Sequence, residues 1–118
     1  MVIIMKDFEA KIKPFFWSEY NGNYSFCINA GGYKDEIFDA RAEEGFEGNG
    51  YDWGSLAQVF LDEKMPELSS VVRFGPEAGM LAAYSTDKEA LMKFGQAFKD
   101  ACEDDALIAD LFSRAEID

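Results

Sequence analysis

A glycine-rich segment at residues 45–50, Gly-Phe-Glu-Gly-Asn-Gly, has the composition of a loop that binds phosphate. Loops of that kind follow a strand, present backbone N–H groups and are followed by a Lys-Ser or Lys-Thr pair. No such pair follows here, and Glu43, Glu44, Glu47 and Asp52 surround the glycines with negative charge that repels phosphate. The segment is therefore predicted to connect two helices, with glycine supplying the positive φ angles that the connection needs.

The same acidic residues raise the question of metal binding and of acid–base catalysis. Their spacing matches no calcium-binding EF-hand loop, because the bidentate Glu at the required distance is missing. The chain has no His and two Cys, which excludes Ser-His-Asp and Cys-His catalysis, His-ligated metals and a structural zinc site. Among 23 Asp and Glu residues, carboxylate pairs arise by chance, so a small carboxylate-dependent hydrolase stays an alternative. We expect no catalytic residue, no metal and no cofactor.

The formal net charge of −12 over 118 residues bears on the kind of partner. Lys and Arg contacts to phosphate supply most of the affinity for nucleic acids and anionic membranes, so neither is expected. Opposite charge instead accelerates association with a basic protein. The first candidate contact surface is the band Glu43, Glu44, Glu47 and Asp52, beside a glycine loop that we expect to be mobile. The alternative is that these acids are solvated helix ends that keep the protein soluble.

A second candidate contact surface combines Glu77 on a turn with Trp17, Glu19 and Tyr20 on a strand. Aromatic side chains beside charge are typical of the residues that dominate binding energy in interfaces. Trp17 is predicted on the sheet face that the helices leave open. Trp53, by contrast, begins an apolar helical stripe and is predicted to lie in the core.

Two hairpins are predicted to position these residues. Both contain runs rich in aromatic or branched residues, separated by turns with Gly, Asn or Pro. The predicted strands are residues 15–20 with 24–30, and residues 71–74 with 80–85, the second pair joined by a turn at 75–79.

Helical periodicity follows each hairpin. A stripe from Trp53 to Leu61 ends before Pro66, and a capping box of Thr86 with Glu89 precedes a second long stripe. Shorter helices are predicted at residues 34–44 and 107–115. The order ββααββαα predicts a two-layer α+β domain, with an antiparallel sheet of about four strands and the helices on one face.

The chain is predicted to be one domain at residues 14–118, preceded by an edge strand or tail at residues 1–13. The first residues lack the basic region and the long apolar core of a signal peptide, so we expect a cytoplasmic protein. Cys27 and Cys102 lie in separate apolar stretches and are expected to be reduced and buried. We expect a monomer or a weak homodimer.

The acidic excess is confined to the helical parts of the sequence. Residues 33–67 carry ten acidic against three basic residues, and residues 87–118 carry nine against four. The two hairpin segments, residues 1–32 and 68–86, are neutral. The negative charge is therefore predicted to belong to the helical layer of the fold.

Three sequence motifs resemble the immunity protein 51 family of bacterial polymorphic toxin systems. They are Asn-Gly-Tyr-Asp-Trp at residues 49–53, Phe-Gly-Pro-Glu-Ala-Gly-Met at 74–80, and Asp-Leu-Phe-Ser-Arg-Ala-Glu at 110–116. The resemblance covers nearly the whole chain from Pro14 onwards. It implies a small cytoplasmic protein that is encoded beside a toxin and that binds and blocks this toxin. An acidic adaptor or regulatory module for another basic protein is the alternative.

Overall fold

A computed structural model describes residues 5–117 of the chain. These residues form one four-stranded antiparallel sheet with helices, so the predicted α+β class is confirmed. None of the helices within residues 5–117 is both long enough and apolar enough to span a membrane. In chain order the elements are α1 (Met5–Ile12), β1 (Phe16–Tyr20), β2 (Asn23–Asn29), α2 (Asp35–Asp39), a 3₁₀ helix (Ala42–Glu44), α3 (Gly50–Lys64), a second 3₁₀ helix (Pro66–Leu68), β3 (Arg73–Glu77), β4 (Met80–Ser85), α4 (Lys88–Cys102) and α5 (Asp105–Phe112).

The strands lie in the order β1-β2-β4-β3, so the two hairpins join through β2 and β4, and β1 and β3 are the edges. Trp17, Phe26, Ala83 and Phe74 are register partners and form one row across all four strands. Because side chains alternate along a strand, this row faces one side of the sheet, and it packs in the core beneath the helices. The opposite face of the sheet has no helix on it within residues 5–117.

The core is built largely from aromatic rings. Trp53 is 1% exposed, as its apolar helical stripe predicted. Its ring is stacked parallel to Tyr33, with centroids 6.0 Å apart, and meets Phe15 and Phe98 edge-on at 5.9 and 6.2 Å. Offset and edge-to-face arrangements of this kind add to the stabilisation that burial provides. The core thus joins the residue before β1, the loop before α2, α3 and α4.

The N-terminal segment differs from the prediction. Residues 5–12 form helix α1 rather than an edge strand or tail, and residues 1–4 lie outside the described part of the chain. Phe8 and Ile12 are 7% and 0% exposed, whereas Ala10 between them is exposed. The apolar positions of this short run fit both the period of a strand and that of a helix. The two buried residues are four positions apart, which is the spacing of one helix face. Phe8 packs edge-on against Trp17 at 5.3 Å, so α1 covers part of β1.

Three other boundaries are corrected. The helix predicted at residues 34–44 is divided into α2 and a 3₁₀ helix. The N-cap of α4 is Asp87, whose carboxylate accepts the N–H of Ala90 at 3.0 Å, so Thr86 and Glu89 do not form the predicted capping box. The turn predicted at 75–79 is shorter, since β3 continues to Glu77. Pro76 fits within β3 because β3 is an edge strand, where a missing N–H costs no ladder bond.

Candidate partner-binding surface

The loop at residues 45–49 is held by the side chain of Asp52. The Asp52 carboxylate accepts the backbone N–H groups of Glu47 at 2.7 Å and Gly48 at 2.8 Å. In return, the Asp52 N–H donates to the side-chain oxygen of Asn49 at 2.9 Å, which makes Asn49 the N-cap of α3. Gly48 has a φ of 79°, a left-handed conformation that favours glycine. The N–H groups of Glu47 and Gly48 are therefore already bonded within the chain.

Burial separates Asp52 from the other acids of the first predicted surface. Asp52 is 3% exposed, whereas Glu43, Glu44 and Glu47 are exposed. A partner that docks on the surface cannot reach the Asp52 carboxylate without displacing the loop. Asp52 thus positions Glu47 and does not contribute a free charge of its own.

Arg41 fixes the position of Glu44. The Arg41 Nη2 and Nε groups donate to the two Glu44 carboxylate oxygens at 2.7 and 2.8 Å, and these hydrogen bonds lower the pKa of Glu44. The third donor of the guanidinium, Nη1, bonds the backbone carbonyls of Phe112 and Ala115. Arg41 therefore links the 3₁₀ helix at 42–44 to the end of α5 and the segment after it, and it compensates the charge of Glu44. Within residues 5–117, Glu43 and Glu47 form no ion pair.

Three neighbouring hollows lie along α3. One of about 390 Å³ lies between the loop 45–49 and Ile117, and another of about 390 Å³ lies between α3 and the segment 114–117. A third of about 290 Å³ lies between α3 and β3. They adjoin one another, because Ile117, Tyr51, Ser55 and Gln58 each line two of them. We call this surface the α3 groove, and its main lining residues are Glu47, Tyr51, Ser55, Gln58, Asp62, Arg114, Glu116 and Ile117. The Arg114 guanidinium is paired with the carboxylates of Glu63 and Asp110.

Two large side chains in the α3 groove are exposed, Tyr51 at 42% and Ile117 at 51%. An aromatic or aliphatic side chain surrounded by hollows and acidic groups has the chemistry of an interface anchor. Neither residue is among the contacts predicted from the sequence. A signal was present for Tyr51, because it stands two residues before Trp53 and so lies away from the apolar stripe of α3.

The turn between β3 and β4 lies against the start of α3. The Gly50 N–H donates to the carbonyl of Ala78 at 3.0 Å. A Cβ atom at Gly50 would lie 1.8 Å from the Glu77 carbonyl oxygen, so only glycine permits this approach. The end of β3, where Glu77 lies, therefore adjoins the loop that carries Glu47, although 30 residues separate Glu77 from Glu47 in sequence. By strand alternation, the Glu77 side chain faces away from the helices, unlike Pro76.

The structure does not bring together the second predicted surface. Trp17 lies on the helix-covered face, not the open face, because α1 packs against it. Its indole N–H donates to Glu19 at 3.2 Å, and Glu19 also pairs with Lys88 at 2.8 Å, a contact that lowers the pKa of Glu19. Tyr20 is 76% exposed at the end of β1. Since Glu77 ends the opposite edge strand, Tyr20 and Glu77 occupy diagonally opposite corners of the sheet.

The comparison with known proteins agrees with the sequence motifs. A model of the immunity protein 51 family matches residues 15–117, which is nearly the whole chain. No curated protein and no solved structure matches the chain significantly. The matched range contains every residue of the α3 groove.

Proposed function

Because the chain belongs to the immunity protein 51 family, we propose that it binds a cognate toxin in the cytoplasm and blocks that toxin's activity. Neutralisation by binding requires no catalytic step, no metal and no cofactor. It requires a surface that recognises the toxin quickly and holds it. The observation that supports the proposal best is the α3 groove, where exposed side chains of Tyr51 and Ile117 lie among carboxylates.

The charge of the groove and its border supports the proposal of a basic partner. Glu43 and Glu47 are exposed and form no ion pair within residues 5–117, and Glu116 lines the adjoining hollow. Uncompensated carboxylates favour a basic partner, since opposite charge raises association rates towards about 10⁸ M⁻¹ s⁻¹ at low salt. The toxin is therefore proposed to present Lys or Arg side chains to this surface.

In the proposed binding mode, charge accelerates association and apolar contact slows dissociation. Carboxylates at the border of the groove steer the toxin, and the Tyr51 and Ile117 side chains slow dissociation once water is excluded around them. If the basic surface of the toxin is its substrate-binding cleft, occupation of that cleft excludes the substrate. If it is a neighbouring surface, the chain blocks the toxin by covering the entrance.

A growth assay tests the proposed function. The toxin encoded beside this gene is expressed in a bacterial host with or without the chain, and we expect growth only when the chain is present. Binding of the purified toxin, followed by isothermal titration calorimetry, should show a stoichiometric complex. Death of cells that contain soluble, folded chain would refute neutralisation of this toxin. Binding without rescue would instead support the alternative of an adaptor or regulatory module.

A further inference from the structure

The sheet face that points away from the helices is open and nearly free of charge. On this face Phe16, Tyr20 and Tyr84 are 40%, 76% and 45% exposed, whereas Cys27 between them is 5% exposed. The strands are described in full, and their only charged residues on this face are Arg73 and Glu77. We call it the open face. It is distinct from the α3 groove, which lies on the helical side of the molecule.

We infer that the open face binds the open face of a second copy of this chain across a twofold axis. The axis follows the row Phe16, Cys27, Ala82 and Gly75, which are register partners across all four strands. Three of these residues are small, so two copies can approach closely along the row. A twofold rotation about this row places each of these residues opposite the same residue of the second copy, so apolar surface meets apolar surface.

The two charges of the open face are self-complementary about that axis. Arg73 and Glu77 lie on the same strand, each two residues from Gly75. The rotation reverses the strand direction, so Arg73 comes to lie over Glu77 of the second copy, and Glu77 over its Arg73. Neither residue has an ion-pair partner within residues 5–117, so both are available for this pairing.

The uncharged residues on either side of the axis match in the same way. On β4, Tyr84 and Met80 are equally distant from Ala82, so the ring of one copy meets the thioether of the other. On β2, Ser25 and Asn29 flank Cys27, which places a hydroxyl over an amide. Strands β2, β3 and β4 therefore each contribute a favourable pair, and no like charges are opposed.

The position of the net charge determines how this association depends on salt. Sheets in face-to-face packing are about 10 Å apart, and the acidic helices lie behind them on the outer sides. The distance between the helical layers of the two copies exceeds the Debye length of about 8 Å at 0.15 M salt, so their repulsion is screened there. At 0.01 M salt the Debye length is about 30 Å, and the two layers repel each other. Self-association should therefore strengthen as salt is raised to physiological levels, the reverse of the salt effect on binding of a basic toxin.

The size of the face limits the strength of the dimer. Four strands spaced about 4.8 Å apart, with about 3.3 Å per residue, present roughly 20 Å by 20 Å of surface. Such a contact is at or below the lower end of specific interfaces, so a weak, reversible dimer is expected. Both α3 grooves stay on the outside of this dimer, and each copy can still bind a toxin. The inference therefore does not depend on the proposed function.

Sedimentation equilibrium of the purified chain from about 10 µM to about 1 mM tests the inference. We expect a monomer–dimer equilibrium at 0.15 M salt that shifts to monomer at low salt. Arg73→Glu and Glu77→Arg should each weaken the dimer by about tenfold or more, because each opposes like charges twice. The double variant R73E/E77R should restore dimerisation, since it exchanges the two charges. Lys93→Glu, an exposed change on α4, is the control.

Circular dichroism and melting curves verify that each variant is folded. A chain that is monomeric at every concentration and salt level would overturn the inference. So would a dimer that tolerates both single reversals, because its interface must then lie elsewhere. A double variant no better than the single variants would equally reject the pairing of Arg73 with Glu77.

Discussion

The carboxylate of Asp52 accepts the backbone N–H of Glu47 at 2.7 Å, so a buried acid fixes the position of an exposed one. Both are acidic residues in or beside the same glycine-rich segment, but their roles are opposite. Asp52 satisfies loop N–H groups at the start of α3, and Glu47 presents its charge to solvent. An ordered backbone at this position lowers the entropic cost of binding, because the loop does not have to be ordered by the partner.

Replacing Asp52 should destabilise the protein through its loop. Asp52→Ala leaves the buried N–H of Gly48 and the N–H of Glu47 without their acceptor, and we expect a loss of about 1–3 kcal/mol in the free energy of unfolding. Urea denaturation provides the measurement. Asp39→Ala, at an exposed position of α2, should change the free energy by less than about 0.5 kcal/mol. Equal effects of the two substitutions would contradict the role given to Asp52.

Charge reversal beside the α3 groove should slow toxin binding. In the double variant E43K/E47K, loss of steering is expected to reduce the association rate constant by about tenfold at low salt and to weaken its salt dependence. Stopped-flow mixing with the toxin provides the measurement. The matched control is D7K/E9K, which changes the net charge equally on α1, beside the opposite edge of the sheet. Equal slowing in both double variants would assign steering to net charge and not to this surface.

Tyr51→Ala should act on dissociation instead of association. The side chain is 42% exposed, so its removal should affect folding little while the complex loses an apolar anchor. We expect the free energy of binding to weaken by about 2 kcal/mol, mainly through faster dissociation. Surface plasmon resonance separates the two rate constants. Tyr84→Ala, which removes a similarly exposed ring from the open face, should leave toxin dissociation unchanged.

The contact between Gly50 and the β3–β4 turn predicts a large effect of a single methyl group. In Gly50→Ala, the new Cβ would lie 1.8 Å from the Glu77 carbonyl oxygen and 2.3 Å from that of Met80. Backbone atoms must move apart, so we expect a loss of about 3 kcal/mol or more, or failure to fold. Gly79→Ala meets no atom within 4 Å and should be neutral or slightly stabilising. Thermal melts of the two variants compare these effects directly.

The buried thiol of Cys102 predicts a loss of stability at alkaline pH. Burial raises the pKa of Cys102 to about 12, compared with about 8.5 for a thiol in the unfolded chain. Above pH 9 the unfolded state loses this proton and the folded state keeps it. The free energy of unfolding should therefore fall as pH rises, by up to about 1.4 kcal/mol per pH unit from this group.

Urea denaturation between pH 8 and about pH 10.5 measures that slope. The control is Cys102→Ala, which removes the titrating group. Burial also raises the pKa of Tyr33 and of Cys27, so a residual slope should persist in the variant. Identical slopes for the two proteins would show that Cys102 does not remain protonated in the folded state.

Local pattern was sufficient to predict most of the secondary structure. Runs rich in aromatic or branched residues, separated by turns, predicted the strands, and recurrence at three and four residues predicted the long helices α3 and α4, because neighbours along the chain determine both patterns. The pattern did not decide α1, where Phe8 and Ile12 fit both periods. There the helix results from packing on Trp17, a contact that no local window contains.

The sequence by itself determined the acidic charge, its confinement to the helical segments, the α+β class and the family motifs, all of which depend on residue types and short-range spacing. Only the tertiary structure decided that Asp52 is buried while Glu47 is exposed, that Trp17 faces the helices, and that Glu77 and Tyr20 lie at opposite corners of the sheet. The folding of the loop 45–49 onto Asp52 decides the first point, the packing of α1 on Trp17 the second, and strand order the third. The physical reason is that exposure depends on which distant segments pack together, and packing is a property of the whole fold.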